Sequence, residues 1–371
     1  MEFQKTNLGE LSVNGKGSYG IAASAVPYSD ELFTYLRITD INDDGTLNKS
    51  GLMSVSDEKA EQYLLKPNDI VFARTGGSTG RSYFYDGTDG EFVYAGFLIK
   101  FSIDSTKVNP RFIKYYCLSQ EYRGWVHSFN TGSTRGNINA QTYANMPILL
   151  PSREQQDLLV DTLSVIDEKI KLNTAINENL EQQAQAIYRS MFVTLHHDSD
   201  RMGLLSELIT VKYGKDHKKL NDGVYPVYGS GGIMRYVERP LYDKESVLIP
   251  RKGSLNNVMY VNEPFWSVDT MFYTEMKQPN VAKFVFHFVK SKDLASLNAG
   301  SAVPSMTTDI LNSMELRIPS ADRLAEFEGL VAPLYRAIED NTRQSARLAA
   351  LRDTLLPKLM SGEIDVSAVK I

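Results

Sequence analysis

Residues 130–156, NTGSTRGNINAQTYANMPILLPSREQQ, align without a gap on residues 298–324, NAGSAVPSMTTDILNSMELRIPSADRL, at a constant offset of 168. Asn130, Gly132, Ser133, Met146, Pro151 and Ser152 fall on Asn298, Gly300, Ser301, Met314, Pro319 and Ser320. An internal period of this length means that one structural unit occurs twice, and any fold assigned to the chain must be built in halves. The 371 residues exceed what one ordinary core encloses, which agrees with at least two domains.

The offset carries on past the shared Pro-Ser. Ser152 is placed to cap a helix, with Gln155 three residues on as the partner of a capping box. Residues then recur at steps of three and four: Leu159, Leu163, Ile166, Ile170, Asn173, Asn177, Leu180, Ala184, Ile187 and Met191. Adding 168 gives Phe327, Val331, Leu334, Ile338, Asn341, Ser345, Leu348, Arg352, Leu355 and Leu359. A seam held this long predicts two long helices. Two unrelated amphipathic helices, each packed on its own domain, would also carry a seam, but not one with a shared offset and a shared polar position. The helices are therefore expected to pair with each other through Ile166, Ile170, Leu180 and Ile187 on one side and Leu334, Ile338, Leu348 and Leu355 on the other. Asn173 and Asn341 occupy the same seam position, where a buried amide costs stability and fixes register. Pro333 lies inside the second pattern and predicts a short helix, a bend and then the long helix. Pro357 and the SGEI of residues 361–364 mark its end.

The order is thus globule, long helix, globule, long helix, with boundaries at 1–150, 151–195, 196–318 and 319–371. Each globule has short runs of aromatic and β-branched residues (YLRITDI, DIVFART and EFVYAGFLIKFSI; then YPVYGSGG, SVLIPRKGS and NVMYVN) followed by a helix-like stretch. The fold class is α+β: two homologous mixed α/β domains joined by two long helices that pair with each other.

Several functions are argued against by composition. Cys117 is alone, so disulfides and cysteine zinc sites within the chain are excluded, as suits a reducing cytoplasm. The five histidines have no metal-ligand spacing. No run of about eighteen apolar residues suggests a membrane span, and MEFQKTNLGE holds no apolar signal region. The net charge of −5 argues against coating nucleic acid by charge alone, yet residues 201–260 hold ten Lys/Arg against six Asp/Glu. ARTGGSTGRSYF, residues 73–84, lacks the Gly-Lys-Ser/Thr and following helix of a phosphate loop, and GKGSYG, residues 15–20, has no strand before it. No amino-methyltransferase motif and no Walker A motif are present, so no catalytic residue is assigned.

The repeat supplies a counterpart for the glycine-rich loop. DIVFARTGGSTGRSYFY aligns with SVLIPRKGSLNNVMYVN, placing Arg74 and Gly76 on Arg251 and Gly253. Both read as an apolar strand, a basic glycine-containing tip and an aromatic strand. The tips differ: Thr75, Ser78, Thr79 and Arg81 against Lys252, Ser254, Asn256 and Asn257. Arginine suits guanine, asparagine adenine, hydroxyls either, and lysine phosphate. Further polar loops are expected to join them. Lys16 and Tyr19 come from GKGSYG, and Ser133, Thr134 and Arg135 from GSTRGN. Lys215, His217, Lys218 and Lys219, with Tyr228, Ser230 and Arg235, come from the loops of the second domain, and Ser301 from the second copy of the repeat.

With YLRITDIN, YLLKPNDIVFARTGGSTGRSYFY, GVYPVYGSGG, VLIPRKGSLNNVMYV, FWSVDTMFY and the two Pro-Ser helix starts in this order, nearly the whole chain resembles the specificity subunit of type I restriction–modification systems. The resemblance implies two target-recognition domains, each reading half of a split site in double-stranded DNA. The two long helices would pair as an antiparallel coiled coil, set the gap between the halves and dock two methylation subunits, to which a nuclease–translocase subunit can add. It implies a non-catalytic chain that binds no cofactor, with S-adenosylmethionine, ATP and magnesium used by partner subunits in the cytoplasm, and no membrane. The alternative from another class is a coiled-coil adaptor whose twin domains bind proteins.

Overall fold

The computed structural model describes residues 3–129, 136–194, 197–297 and 305–364. It forms two compact units. One takes the chain up to Lys171 together with the chain from Gln344 onward, and the other runs from Leu172 to Arg343. The two cuts fall inside the long helices Arg153–Arg189 and Ala321–Met360, so each unit holds one mixed domain and part of both helices.

The first unit is centred on a four-stranded antiparallel sheet in the order Ser18–Tyr19, Leu98–Ser102, Asp69–Ala73, Ser82–Tyr85. All five residues of Asp69–Ala73 are buried, because the sheet is covered on both faces. Side chains alternate along a strand. Ile70 and Phe72 therefore enter one core with Phe112 and Tyr122 of the helices Pro110–Tyr116 and Gln120–His127. Val71 and Ala73 enter another core with Leu36, Phe92 and Tyr94 of a second small sheet. Asn109 and Ser119 cap the two helices through their side chains, accepting from the N–H groups of Arg111 and Tyr122. The strand Gln4–Asn7 pairs antiparallel with Pro147–Leu150 and fixes the point from which Pro151 and Ser152 start the long helix.

The second unit repeats the plan. Its main sheet has the order Ile209–Tyr213, Met271–Met276, Ser246–Pro250, Met259–Val261. Ser246–Pro250 is buried throughout, with Val247 and Ile249 against the helix Ala282–Lys290 and Leu248 in a separate core with Phe265 and Trp266. Arg201–Leu204 pairs with Glu315–Ile318, the strand 168 residues after Pro147–Leu150. The added layer differs from the first domain. Here Gly232–Val237, Asp222–Gly229 and Trp266–Ser267 make a three-stranded sheet.

Within the first unit, Leu159 and Leu163 share a core with Leu356 and Leu359. Within the second, Ala184 and Tyr188 share a core with Phe327, Val331 and Tyr335. The early part of one helix thus meets the late part of the other in both places, and the pair is antiparallel. Ile166 is buried, and Ile170, Leu180, Ile187, Leu334, Ile338, Leu348 and Leu355 are half-buried along the seam. Both helices start on the shared serine: Ser152 Oγ accepts from the Gln155 N–H and Ser320 Oγ from the Arg323 N–H, each at 3.4 Å.

The expected break at Pro333 does not occur. Ala321–Met360 is one unbroken helix of 40 residues. Proline removes one N–H and leaves the carbonyl four residues back without a partner. That carbonyl belongs to Gly329, and both residues lie on the exposed face, where the carbonyl is open to solvent, while Val331 and Tyr335 are buried and hold the helix on course.

Candidate nucleic-acid interface

In both main sheets the third strand delivers an arginine into a loop. The Arg74 N–H donates to the Phe97 carbonyl at 3.1 Å, and its carbonyl accepts from the Ile138 N–H at 2.9 Å. The Arg251 N–H donates to the Thr270 carbonyl at 2.9 Å, and its carbonyl accepts from the Met306 N–H at 3.0 Å. Ile138 and Met306 are again 168 apart, so the two arginines occupy one structural position. Gly76 and Gly253, two residues on, have φ of 80° and 85°. A side chain is strained in that region, which explains the glycine in both tips.

Each arginine lies against a tyrosine. The Arg74 guanidinium is 5.1 Å from the centre of the Tyr19 ring, and that of Arg251 is 5.3 Å from the centre of the Tyr213 ring. Gly20 and Gly214 follow these tyrosines. A Cβ on either would come within 2.2 Å of the Tyr94 carbonyl oxygen or 2.0 Å of the Val268 carbonyl oxygen, so the strand is pressed onto its neighbour and the tyrosine position is fixed. Tyr213 also meets Phe272 edge-on at 5.0 Å, and Tyr19 Oη accepts from the Ala140 N–H at 3.2 Å. Sequence reasoning picked out Tyr19 and missed Tyr213. The signal that could have found it is the shared Tyr-Gly of SYG and KYG.

The two arginines also stand apart in their charge environment. Seven described arginines are buried or half-buried. Arg37, Arg81, Arg235, Arg323 and Arg352 each hold a carboxylate, from Asp40, Asp43, Asp222, Asp200 and Asp167. Arg74 and Arg251 hold none among the described residues. Arg74 Nε is buried without a hydrogen-bond partner, and the Arg251 guanidinium donates from Nη1 to the Asp269 backbone carbonyl at 3.3 Å.

Other expected tip residues separate into two groups. Several are engaged internally. Arg81 clamps Asp43 at 2.7 and 3.2 Å and the Ile41 carbonyl at 3.0 Å. Thr79 Oγ1 is shared between the carbonyls of Gly76 and Gly136. Arg235 binds Asp222 and the Leu220 carbonyl. Asn256 donates to Asp293 and accepts from the Ala295 N–H. Tyr228 donates to Glu263 at 3.0 Å, and burial together with that carboxylate raises its pKa. Ser78 is buried. The second group lies at or near the surface. Lys16, Lys215, Lys218, Lys219, Lys252, Ser254 and Asn257 are exposed, and Thr75, His217 and Ser230 are half-buried. Asn257 Nδ2 donates to the Ser230 carbonyl at 2.8 Å, which brings the loop after Gly229 onto the Arg251 tip. Thr75 bridges to Asn137 and Lys252 to Ser305, bringing a second loop to each tip. Ser133, Thr134, Arg135 and Ser301 lie outside the described residues.

Among the described residues, no group of His, Cys, Asp and Glu could hold a metal, and no helix is long and apolar enough to cross a membrane. Cys117 is buried, which pushes its thiol far above the usual range. The glycine-rich tip passes through a single 3-10 turn into the strand Ser82–Tyr85, so no helix N-terminus is present to take a phosphate. Two hollows by the second small sheet of the first domain are lined by Asp30, Glu31, Asp57, Glu58 and Glu91 against Lys49 and Lys59, a net negative charge that repels phosphate.

Known proteins agree with this arrangement. The profile of the type I restriction modification DNA specificity domain matches residues 5–182 and again residues 203–323. The specificity subunit of the type I restriction enzyme HindI from Haemophilus influenzae is 22% identical over a match that takes in 81% of this chain and 87% of that protein. The EcoprrI specificity subunit from Escherichia coli is 20% identical, over 78% of this chain and 77% of that one. The crystal structure of a type I restriction–modification S subunit from M. genitalium has the same fold, with a TM-score of 0.54 at 18% identity over 97% of this chain and 96% of that one. One profile match falls on each half of a chain whose two domains share sheet order, tip and arginine position, and the chain belongs to the type I restriction modification DNA specificity family.

Proposed function

We propose that this chain supplies sequence recognition to a type I restriction–modification complex, with each domain reading one half of a split site in double-stranded DNA. The observation that supports this most is the duplication of one loop-presenting scaffold with unlike tips. A single scaffold used twice gives two readers of the same geometry, and different tip residues give them different targets. Arg74 and Arg251 sit where base edges are read. Exposed Lys16, Lys215, Lys218, Lys219 and Lys252 supply phosphate contacts, which set affinity without sequence.

The chain is non-catalytic in this account and binds no cofactor. Two methylation subunits dock on the paired helices and bring S-adenosylmethionine. Restriction subunits, where present, bring ATP and magnesium, and the complex works on DNA in the cytoplasm. The acidic net charge leaves part of the grip on DNA to the methylation subunits.

The test is reconstitution with the methylation subunits. A salt-dependent shift of duplex DNA, and methylation at a two-part site in cells carrying both proteins, are the expected results. A complex that assembles but methylates nothing and shows no sequence preference in binding would overturn the reading in favour of a protein adaptor.

A further inference from the structure

We propose that Tyr19 and Tyr213 are positioning residues that hold Arg74 and Arg251 as the guanine readers of the two half-sites, so that each half-site contains a guanine read from the same point of the scaffold. This rests on the DNA-reading function above and specifies how it is done.

A half-buried guanidinium costs free energy unless an acceptor meets it. Five of the seven such arginines here have a carboxylate of their own. The two that do not are the two in equivalent positions at the loop tips. In both, a tyrosine ring takes the place of the counterion, at 5.1 and 5.3 Å. A ring partly compensates the charge without occupying the guanidinium edge. The ring leaves the terminal nitrogens of Arg74 and Nη2 of Arg251 without a carboxylate among the described residues, and the fork is oriented before any ligand arrives.

Among the described residues neither tip arginine has a carboxylate of its own, so in this proposal the DNA supplies the acceptor, and a planar fork selects its geometry. Guanine presents O6 and N7 side by side in the major groove and is met by two parallel N–H donors. A phosphate needs no such orientation, and the exposed lysines around the tips serve it. The strand carrying each tyrosine is held by close contact at Gly20 and Gly214, and the rings are further contacted by the Ala140 N–H at Tyr19 and by Phe272 at Tyr213. The same arginine–tyrosine pair on a closely packed strand is made twice.

The experiment uses the full chain assembled with its methylation subunits. The probes are duplexes bearing the sequence the wild-type complex methylates, with each base pair changed singly. Tyr213→Ala is expected to lower discrimination at one G·C pair of one half-site by about tenfold or more. The profile of the other half-site, unchanged in the same molecule, shows that the complex is folded and assembled. Tyr213→Phe restores most of the discrimination lost in Tyr213→Ala, because the ring remains. Arg251→Lys does not, because a point charge lacks the fork. Tyr19→Ala does the same at the other half-site. A Tyr213→Ala profile identical to wild type overturns the proposal, as does a uniform loss at every position with a shallower salt slope, the mark of a phosphate contact. A methylated site with no guanine in one half overturns it too. A wild-type complex without any sequence preference overturns instead the functional reading underneath.

Discussion

Asn341 donates from Nδ2 to Asn177 Oδ1 at 2.9 Å, and its own carbonyl accepts from Asn173 Nδ2 at 3.4 Å. Asn177 adds contacts to the Ile338 carbonyl and to Thr342 Oγ1. The polar layer in the helix seam is therefore three asparagines rather than two. Such a layer is satisfied in one register only, because sliding either helix leaves amides buried without partners. Asn341→Leu alone should destabilise the protein by about 1–3 kcal/mol, since it strands Asn177. Replacing Asn173, Asn177 and Asn341 together by leucine should raise the melting temperature and allow alternative registers or self-association. Thermal melts with light scattering check both. A triple variant that melts lower yet stays uniquely assembled would show that the layer supplies stability rather than register.

Asp167 joins three partners within the first unit. It accepts from Lys114 Nζ at 2.6 Å, Tyr115 Oη at 3.0 Å and Arg352 Nη1 at 3.0 Å, tying the domain helix Pro110–Tyr116 to both long helices. Burial pushes the carboxyl pKa up, but the Lys114 ammonium and the hydrogen bonds from Lys114 and Arg352 outweigh it and hold the carboxyl below its usual value. A carboxyl lowered on folding stabilises above its unfolded pKa and loses that contribution as pH falls through the folded one. Asp167→Asn should cost about 3 kcal/mol at neutral pH, because Arg352 is left buried without its cross-helix carboxylate. The deficit should shrink below about pH 4, where the wild-type group also protonates. Urea melts across pH 3–7 measure it.

His287 gives a dependence in a different window. It is buried in the second unit, stacked on Tyr188 at 5.3 Å and 2.9 Å from Tyr335 Oη. Burial, with Lys290 nearby, lowers its pKa from 6.5 to about 4. The folded form stays neutral over a range where the unfolded chain takes up a proton. Stability is unaffected by this group above about pH 6.5 and falls as pH drops from there toward 4, by about 3 kcal/mol in all. His287→Gln, which keeps a group able to bond Tyr335, should flatten the curve between pH 6.5 and 4 and leave the lower Asp167 limb in place.

The repeat made the doubling, the pairing of the long helices and the equivalence of Arg74 with Arg251 legible before any coordinates, because each rests on spacing along the chain, while the antiparallel sense of the pairing came from the family resemblance. Tyr213 was not legible in that way. It lies 194 residues after Tyr19 while the arginines are 177 apart and the helices 168, so insertions between strands broke the constant offset. The sheet order restores the correspondence, and in the sequence only the short Tyr-Gly pair points to it. The engaged state of Arg81 and Asn256 was also hidden. Their carboxylates, Asp43 and Asp293, are 38 and 37 residues away and carry no local signal. Pro333 misled because the rule about proline concerns the helix it sits in, while the side chains buried on either side of it decide whether that helix continues.

The long helices offer a way to change the distance between two half-sites without touching either reader. Asn173 lies opposite Asn341 and Asp167 opposite Arg352, so positions facing each other have numbers that sum to about 515. Insertions at different levels would place the asparagines opposite inserted residues and destroy the layer. The junctions Lys171–Leu172 and Arg343–Gln344 are level with each other, and they keep Asn173, Asn177 and Asn341 together. Seven residues added at both junctions preserve the seam, because a heptad returns to the same face. The helix pair lengthens by about 10 Å, or about three base pairs. The methylated half-sites should stay the same while the unread gap between them grows by about three base pairs. The methylome of cells carrying the variant with its methylation partner reads this directly. Three base pairs of twist can reduce the yield, so the decisive quantity is the gap at the sites that are modified. A variant that methylates at the original gap would show that the helices do not set it.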